Sequence, residues 1–260
     1  MIKFSLLENR LKDYEKQWTT AKPFSHLVID DILDPGDALR IQNEFPDPVN
    51  ENMAQSRDYI FARNKYEKSK FWEFGPACNA LHEDLMSPQF AKMLGAICGR
   101  TVWIDPDFHG GGMHQGGRNS FLDMHTDFNL HPLHEDWFRD LNILIYLNPN
   151  WTKEWGGELR LQHRKTGEAI EVEPKFGRCV IMETRDYTLH GYDPIRFPEE
   201  EYRRSIACYA YSALSGTVHA RSTAWYPSGR NVAKRLIGRG WPYLVIWKNR
   251  IFGSATAKNR

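Results

Sequence analysis

The chain has 260 residues, is 41% hydrophobic, 13% aromatic and 26% charged, and carries a formal net charge of +1. Disordered chains are polar and poor in aromatics, so this composition describes a folded domain large enough to bury its own core. Apolar runs such as Ile143–Leu147 are too short to span a bilayer, and Met1–Glu8 has no apolar leader segment. Cys78, Cys98, Cys179 and Cys208 lie far apart with no Cys-x-x-Cys pair, which argues against a disulfide scaffold or thiolate zinc site and predicts a cytoplasmic protein. Charge is unevenly spread. All 33 acidic residues lie before position 202, whereas residues 202–260 hold eleven Lys and Arg. Such a tail docks on the acidic body or meets an anionic partner.

The first segment predicts a helix, with Phe4, Leu7, Leu11, Tyr14 and Trp18 on one face, ended by Pro23. A strand is expected over Phe24–Ile32. Asp34-Pro35 opens a second helix that runs through Leu39 and Ile41 to Phe45. Ser87-Pro88 repeats the device, with Phe90, Met93, Leu94 and Ile97 as the apolar stripe and Gly99 as the stop. From Thr101 the texture changes to seven short runs broken by Gly, Pro and Asn: Thr101–Asp105, Ser120–Phe128, Leu141–Leu147, Glu158–Gln162, Glu168–Val172, Arg178–Glu183 and Arg203–Ser212. Strands at this spacing make a sandwich or jelly roll. The expected fold is mainly β with flanking helices, in one domain. Residues 1–100 form a mostly helical flank with a first strand, 101–212 a double-stranded β-helix, and 213–260 a basic extension.

Chemistry concentrates in His-x-Asp, which occurs at His82, His125 and His134. Residues i and i+2 share a face on a strand, but on a helix they point about 200° apart and cannot grip one ion. His82 sits in a helical pattern and His134 in a polar stretch without alternation. Only His125 and Asp127 lie on a strand pattern, with Phe121 and Asp123 on their face and Leu122, Met124 and Phe128 opposite. A second His, His190, follows the Arg178–Glu183 run. Two His and a carboxylate form a facial triad that leaves open positions on an Fe(II) ion. Arg203 and Ser205 then share a strand face, with Arg204 on the other, and an Arg with a hydroxyl two residues on can clamp a carboxylate.

This ordered set resembles the Fe(II)/2-oxoglutarate-dependent oxygenases, specifically the branch similar to prolyl 4-hydroxylases. Further similarity lies in Pro23–Leu33 with the following helix to Pro46, in Gly110–His114 before Phe121–His125, and in Leu141–Asn148 with the Gly156-Gly157 turn. The resemblance covers about residues 22–212. It implies a cupin-like jelly roll, with Fe(II) held by His125, Asp127 and His190, and 2-oxoglutarate held by Arg203, Ser205 and Tyr146. Dioxygen is the other cosubstrate, and ascorbate is allowed as a further one. The implied activity is hydroxylation of a C–H bond of a small molecule, an amino acid or a peptidyl residue, with release of succinate and CO2. Asp127 argues against halogenation, because the family's halogenases lack that carboxylate. Desaturation and cyclisation use the same residues and stay open, as does the oligomeric state.

The substrate is not written in these motifs. An anionic or carrier-bound molecule would suit the basic tail. His109, His114, Asn129, His131 and Trp155 are candidates for the cavity mouth. Two rival readings are a non-catalytic jelly-roll binding module and an oxygenase that meets nucleic acid through the tail, where Trp225, Tyr226, Trp241, Tyr243 and Trp247 interleave with basic residues. The favoured reading of the tail is a basic cap packed on the body, with Arg230, Lys234 and Arg235 on one helical face.

Overall fold

The computed structural model describes residues 1–48, 54–56, 58, 60–227, 234, 236–238 and 240. Helices α1 (Phe4–Asn9) and α2 (Leu11–Thr20) replace the single helix expected here. The N-terminus is tied down by a bridge between Ile2 and Leu33, and the helix breaks at Arg10 (φ −109°, ψ 8°); periodicity cannot report such a constraint. Strand β1 (His26–Ile29) follows, then α3 (Pro35–Asn43), where the Asp34 side chain accepts from the Gly36 and Asp37 amides. Helix α3 stops before Phe45 and turns Ala38 and Ile41 inward, leaving Leu39 exposed on the opposite face.

Besides its helices and β1 the flank carries two strands that the sequence did not mark, β2 (Ala54–Ser56) and β3 (Ala62–Lys68). Helices α4 (Pro76–Met86) and α5 (Pro88–Cys98) complete it. Ser87 caps α5, Phe90, Met93, Leu94 and Ile97 are buried, and Gly99 closes the helix in the left-handed region at φ 72°, as its sequence demands.

The remaining strands are β4 (Trp103–Ile104), β5 (Gly112–Thr126), β6 (Trp137–Tyr146), β7 (Leu159–His163), β8 (Ala169–Val172), β9 (Cys179–Glu183), β10 (Thr188–Tyr192), β11 (Arg203–Ala213) and β12 (Ala224–Trp225). Their order is β1-β9-β6-β11-β5-β10-β7-β8, with β3 and β12 also on β5, β4 on β11, and β2 on β3. The sheet curls into a jelly roll around β5. The N-terminal half of β5 pairs with β11 and its C-terminal half with β10, so one 15-residue strand belongs to both walls.

Both faces of the larger wall are covered, which is why β9 and the second half of β6, Leu141–Tyr146, read as nearly continuous apolar runs. Leu141, Ile143, Ile145, Ile181, Ile206 and Cys208 point outward into the core shared with the helices. Tyr146, Val180 and Met182 point inward and meet Leu159, Leu161 and Val172 of the smaller wall. All four cysteines are free thiols. Among the described residues no helix is long and apolar enough to cross a membrane.

Candidate active site

His125 lies near the C-terminal end of β5 and pairs across the sheet with His190 of β10, so the two rings stand 4.2 Å apart, centroid to centroid. Asp127 sits just past the end of β5. Its Oδ1 is 3.5 Å from His125 Nε2 and its Oδ2 is 3.4 Å from His190 Nε2. The three donor atoms all lie within 4.8 Å of one another. Sequence patterning did not mark β10 as a strand, although it selected His190. The run is short, and Gly191, next to its centre, is a poor strand former. That glycine has a reason: a Cβ on Gly191 would stand 2.5 Å from the Leu122 carbonyl oxygen.

The strict alternation expected around His125 does not hold. Between the pairs Tyr192–Leu122 and His190–His125, two steps on β10 face three on β5. This bulge puts Leu122 in the cavity wall beside His125, whereas Phe121 and Asp123 do not line the cavity.

His125 Nδ1 donates to the Asp123 carbonyl at 2.9 Å, which fixes the ring and turns Nε2 toward the cluster. Burial, reinforced by the neighbouring His125, pushes the His190 pKa down to about 3, so this imidazole is neutral. Burial alone would raise the Asp127 pKa, but the Arg139 guanidinium foremost outweighs it and holds the carboxyl well below its usual range. A neutral imidazole and an ionised carboxylate bind a cation without first losing a proton.

Sequence reasoning missed the group that orients Asp127. Arg139, on β6, is 2% exposed and donates to Asp127 Oδ2 at 3.1 Å. Asn142 Nδ2 donates to the same oxygen at 2.7 Å, and Arg139 Nε donates to Asn142 Oδ1 at 3.0 Å. The guanidinium lies 3.4 Å from the Tyr209 ring centroid. With Oδ2 engaged twice, Oδ1 is the oxygen left for an ion. An Arg in the opening turn of a buried strand was the available signal, but the expected strand began only at Leu141.

The same cavity, about 260 Å³, extends from this cluster to Arg203 and Ser205. Arg203 is 7% exposed, donates from Nε to the Gly157 carbonyl (2.7 Å) and reaches the Tyr146 hydroxyl (3.2 Å). It packs over the Tyr192 ring at 4.3 Å. Among the described residues it has no carboxylate partner. A buried cation without a counter-ion is costly, and that cost is relieved by a bound anion. Register explains why these groups converge, since Ser205 of β11 faces Tyr146 on one side and His114 of β5 on the other. Arg204 points away and donates to Gln115 Oε1 at 3.1 Å. Strand β12 lays Trp225 against His125, ring centroids 4.8 Å apart.

The other candidates separate. His82 lies within α4, tilted on Trp72, and His134 stacks on Trp137 at 4.1 Å, so neither joins the cluster. His114 lines the cavity. His109, Asn129, His131 and Trp155 do not. The Asp105 carboxylate accepts from the His109 amide, His131 lies 3.3 Å from the same group, Asn129 ties down the chain at His219 and Arg221, and Trp155 packs on Phe197. In the tail, Lys234 Nζ lies 2.6 Å from Asp123 Oδ2. Arg230, Arg235, Trp241, Tyr243 and Trp247 fall outside the described residues.

Residues 111–211 match the family model of the 2OG-Fe(II) oxygenase superfamily, a span that contains all three clustered donors and Arg203. No curated protein matches the sequence. Among solved structures, the chain is similar to a prolyl hydroxylase from Trichoplax adhaerens, solved with a peptide fragment of hypoxia-inducible factor. The identity is 14%, over 80% of this chain and 91% of that one, with a TM-score of 0.54. A Pseudomonas putida prolyl-4-hydroxylase gives 15%, 79%, 100% and 0.52 for the same measures. The α-ketoglutarate-dependent epimerase SnoN of nogalamycin biosynthesis gives 11%, 86%, 88% and 0.54. Identities this low establish a shared fold.

Proposed function

We propose that this chain, a 2OG-Fe(II) oxygenase by the match over its core strands, hydroxylates an unactivated C–H bond of a small molecule, amino acid or peptidyl residue. In the balanced reaction the substrate C–H, 2-oxoglutarate and O2 become C–OH, succinate and CO2. The observation that carries the reading is one cavity with two unlike ends. At one end stands a set of two His and one carboxylate; at the other stands a buried guanidinium without a carboxylate partner among the described residues.

The residues fit the group they would hold. His125, Asp127 and His190 would bind Fe(II), which together with 2-oxoglutarate supplies dioxygen activation. Arg203 would pair with the distal carboxylate of the cosubstrate, assisted by the hydroxyls of Tyr146 and Ser205. Arg139 and Asn142 hold Asp127 in one rotamer, and Trp225 shields the outer face of His125 from water. Asp127 supplies the carboxylate that the resembling halogenases lack, which favours oxygen insertion over halogenation.

The test is succinate release with Fe(II) and 2-oxoglutarate against panels of amino acids, peptides and sugar nucleotides. A gain of one oxygen atom in the product distinguishes hydroxylation from desaturation or cyclisation. Absence of 2-oxoglutarate binding and turnover would leave only a jelly-roll binding module.

A further inference from the structure

The wall of the cavity formed by β3 carries a second polar group. Lys65 and Glu67 alternate along β3, and both side chains line the cavity. Register sets Lys65 opposite Gly116 and Glu67 opposite His114, on the same β5 strand that ends in His125. Lys65 Nζ is 3.1 Å from Glu67 Oε2, and His114 Nε2 is 3.9 Å from that same oxygen. His114 Nε2 is buried and has no hydrogen-bond partner among the described residues. Burial, joined by the charge of Lys65, pushes the His114 pKa down to about 3, so the ring is neutral and makes no ion pair with Glu67.

Across β5 the register sets this group level with Arg203 and Ser205, and the two charged groups differ in kind. Arg203 presents an uncompensated positive charge, which suits an anion. The Lys65–Glu67 pair sums to zero and presents a cation and an anion side by side. A plain carboxylate would meet Lys65 with its charge already cancelled by Glu67, and a plain amine would meet the reverse. A net-neutral ligand carrying both charges is complementary to both. The spacing agrees: two acceptors 3.9 Å apart can be bridged by one donor nitrogen about 2.8 Å from each, an ordinary hydrogen-bond length. The volume agrees too. A cavity of about 260 Å³ that must also hold a cosubstrate lies below the roughly 300–1,000 Å³ of pockets for drug-sized ligands.

From this juxtaposition, and resting on the oxygenase reading above, we propose that Lys65, Glu67 and His114 form the recognition subsite for a free α-amino acid. Its ammonium bridges Glu67 and His114 Nε2, its carboxylate meets Lys65, and its side chain points to the metal cluster. A substrate bound this way is a zwitterion and not an internal residue of a peptide, whose ammonium and carboxylate are both masked.

The test is anaerobic calorimetric titration of the full chain with Fe(II), first with 2-oxoglutarate and then with each common L-α-amino acid, its N-acetyl derivative and its α-amide. At least one free amino acid is expected to bind, and its N-acetyl and amide forms to bind about tenfold or more weakly, as for a lost hydrogen bond to a charged group. Lys65→Met should weaken the free acid but not the α-amide, and Glu67→Gln should weaken the free acid but not the N-acetyl form; a merely structural role would weaken all three alike. Blocked forms binding as tightly as free ones would overturn the subsite, as would binding of no amino acid after 2-oxoglutarate has bound. Failure of the first titration instead overturns the cosubstrate assignment. If a variant fails to fold, the comparison of free and blocked ligands on the unmodified chain still decides.

Discussion

Replacing Arg203 by Met separates a cosubstrate clamp from a structural tie. The side chain donates to Gly157 O and Tyr146 Oη from a site that is 7% exposed. Its loss would leave the distal carboxylate of 2-oxoglutarate desolvated and unpaired, at a cost of about 2–5 kcal/mol. At about 1.4 kcal/mol per decade, binding should weaken on the order of 30- to 4,000-fold. The fold loses one donor to a buried carbonyl, about 1–3 kcal/mol, partly offset by removal of a cation without a counter-ion. The assay is anaerobic thermal unfolding with Fe(II), with and without 2-oxoglutarate. At a concentration about 100 times its Kd the ligand should stabilise the unmodified chain by about 2.7 kcal/mol, and Arg203→Met by under about 1 kcal/mol. Arg204→Met is the control, because its guanidinium faces Gln115 on the other side of the sheet. If Arg203→Met kept the full ligand-induced stabilisation, or Arg204→Met lost it, the clamp assignment would be wrong.

His125→Ala or Asp127→Ala should abolish metal binding and turnover with little loss of secondary structure, whereas His134→Ala, whose ring rests on Trp137, should retain both; metal content after gel filtration checks this. Gly191→Ala should push β10 from β5 at the Leu122 carbonyl, part His190 from His125, and cost metal affinity together with thermal stability. Lys234→Glu sets a negative charge against Asp123, so the Tm should fall while the salt dependence of kcat/KM stays unchanged; the opposite pattern would assign Lys234 to substrate steering. Asp105 is buried, which alone would raise its pKa, yet its contacts to His131 and the amides of His109 and Asp107 hold it below 3.8. A carboxylate depressed on folding adds stability above its unfolded pKa and loses it as pH falls through the folded one. Asp105→Asn should therefore lower stability at neutral pH and flatten its decline below about pH 4, read by denaturant melts.

Local rules carried a large part of this architecture. Asp34 and Ser87 cap helices because their side chains reach amides within their own turn, and that interaction is encoded over four residues. The clustering of His125, Asp127 and His190 was legible because few positions in the sequence supply two His and a carboxylate in a strand pattern. The bulge that turns Leu122 into the cavity was not legible. It arises from the close approach of Gly191, some 70 residues away in the chain, and no window of the sequence contains both partners. Arg139 escaped for a related reason, since its role appears only when β6 lies across from Asp127. Strand β3 stayed hidden because Ala62–Lys68 is mostly polar; it pairs with β5, and its alternate residues Lys65 and Glu67 line the cavity and not a core.

Strand β5 joins His114 and Gly116 to His125 in one unbroken backbone, but its two halves do not keep common time with β3. Two steps on β3, from Arg63 to Lys65, span five on β5, from Phe121 to Gly116, with Asn119 at φ 63° in the slack. A shift of β3 along its partner is taken up in that slack before it reaches the donor end. If Lys65 and Glu67 read the substrate as proposed, substitutions there would change preference while the geometry of the His125, Asp127 and His190 cluster is left alone. The proposed reader on β3 and the donors at the far end of β5 and on β10 are thereby free to diverge independently.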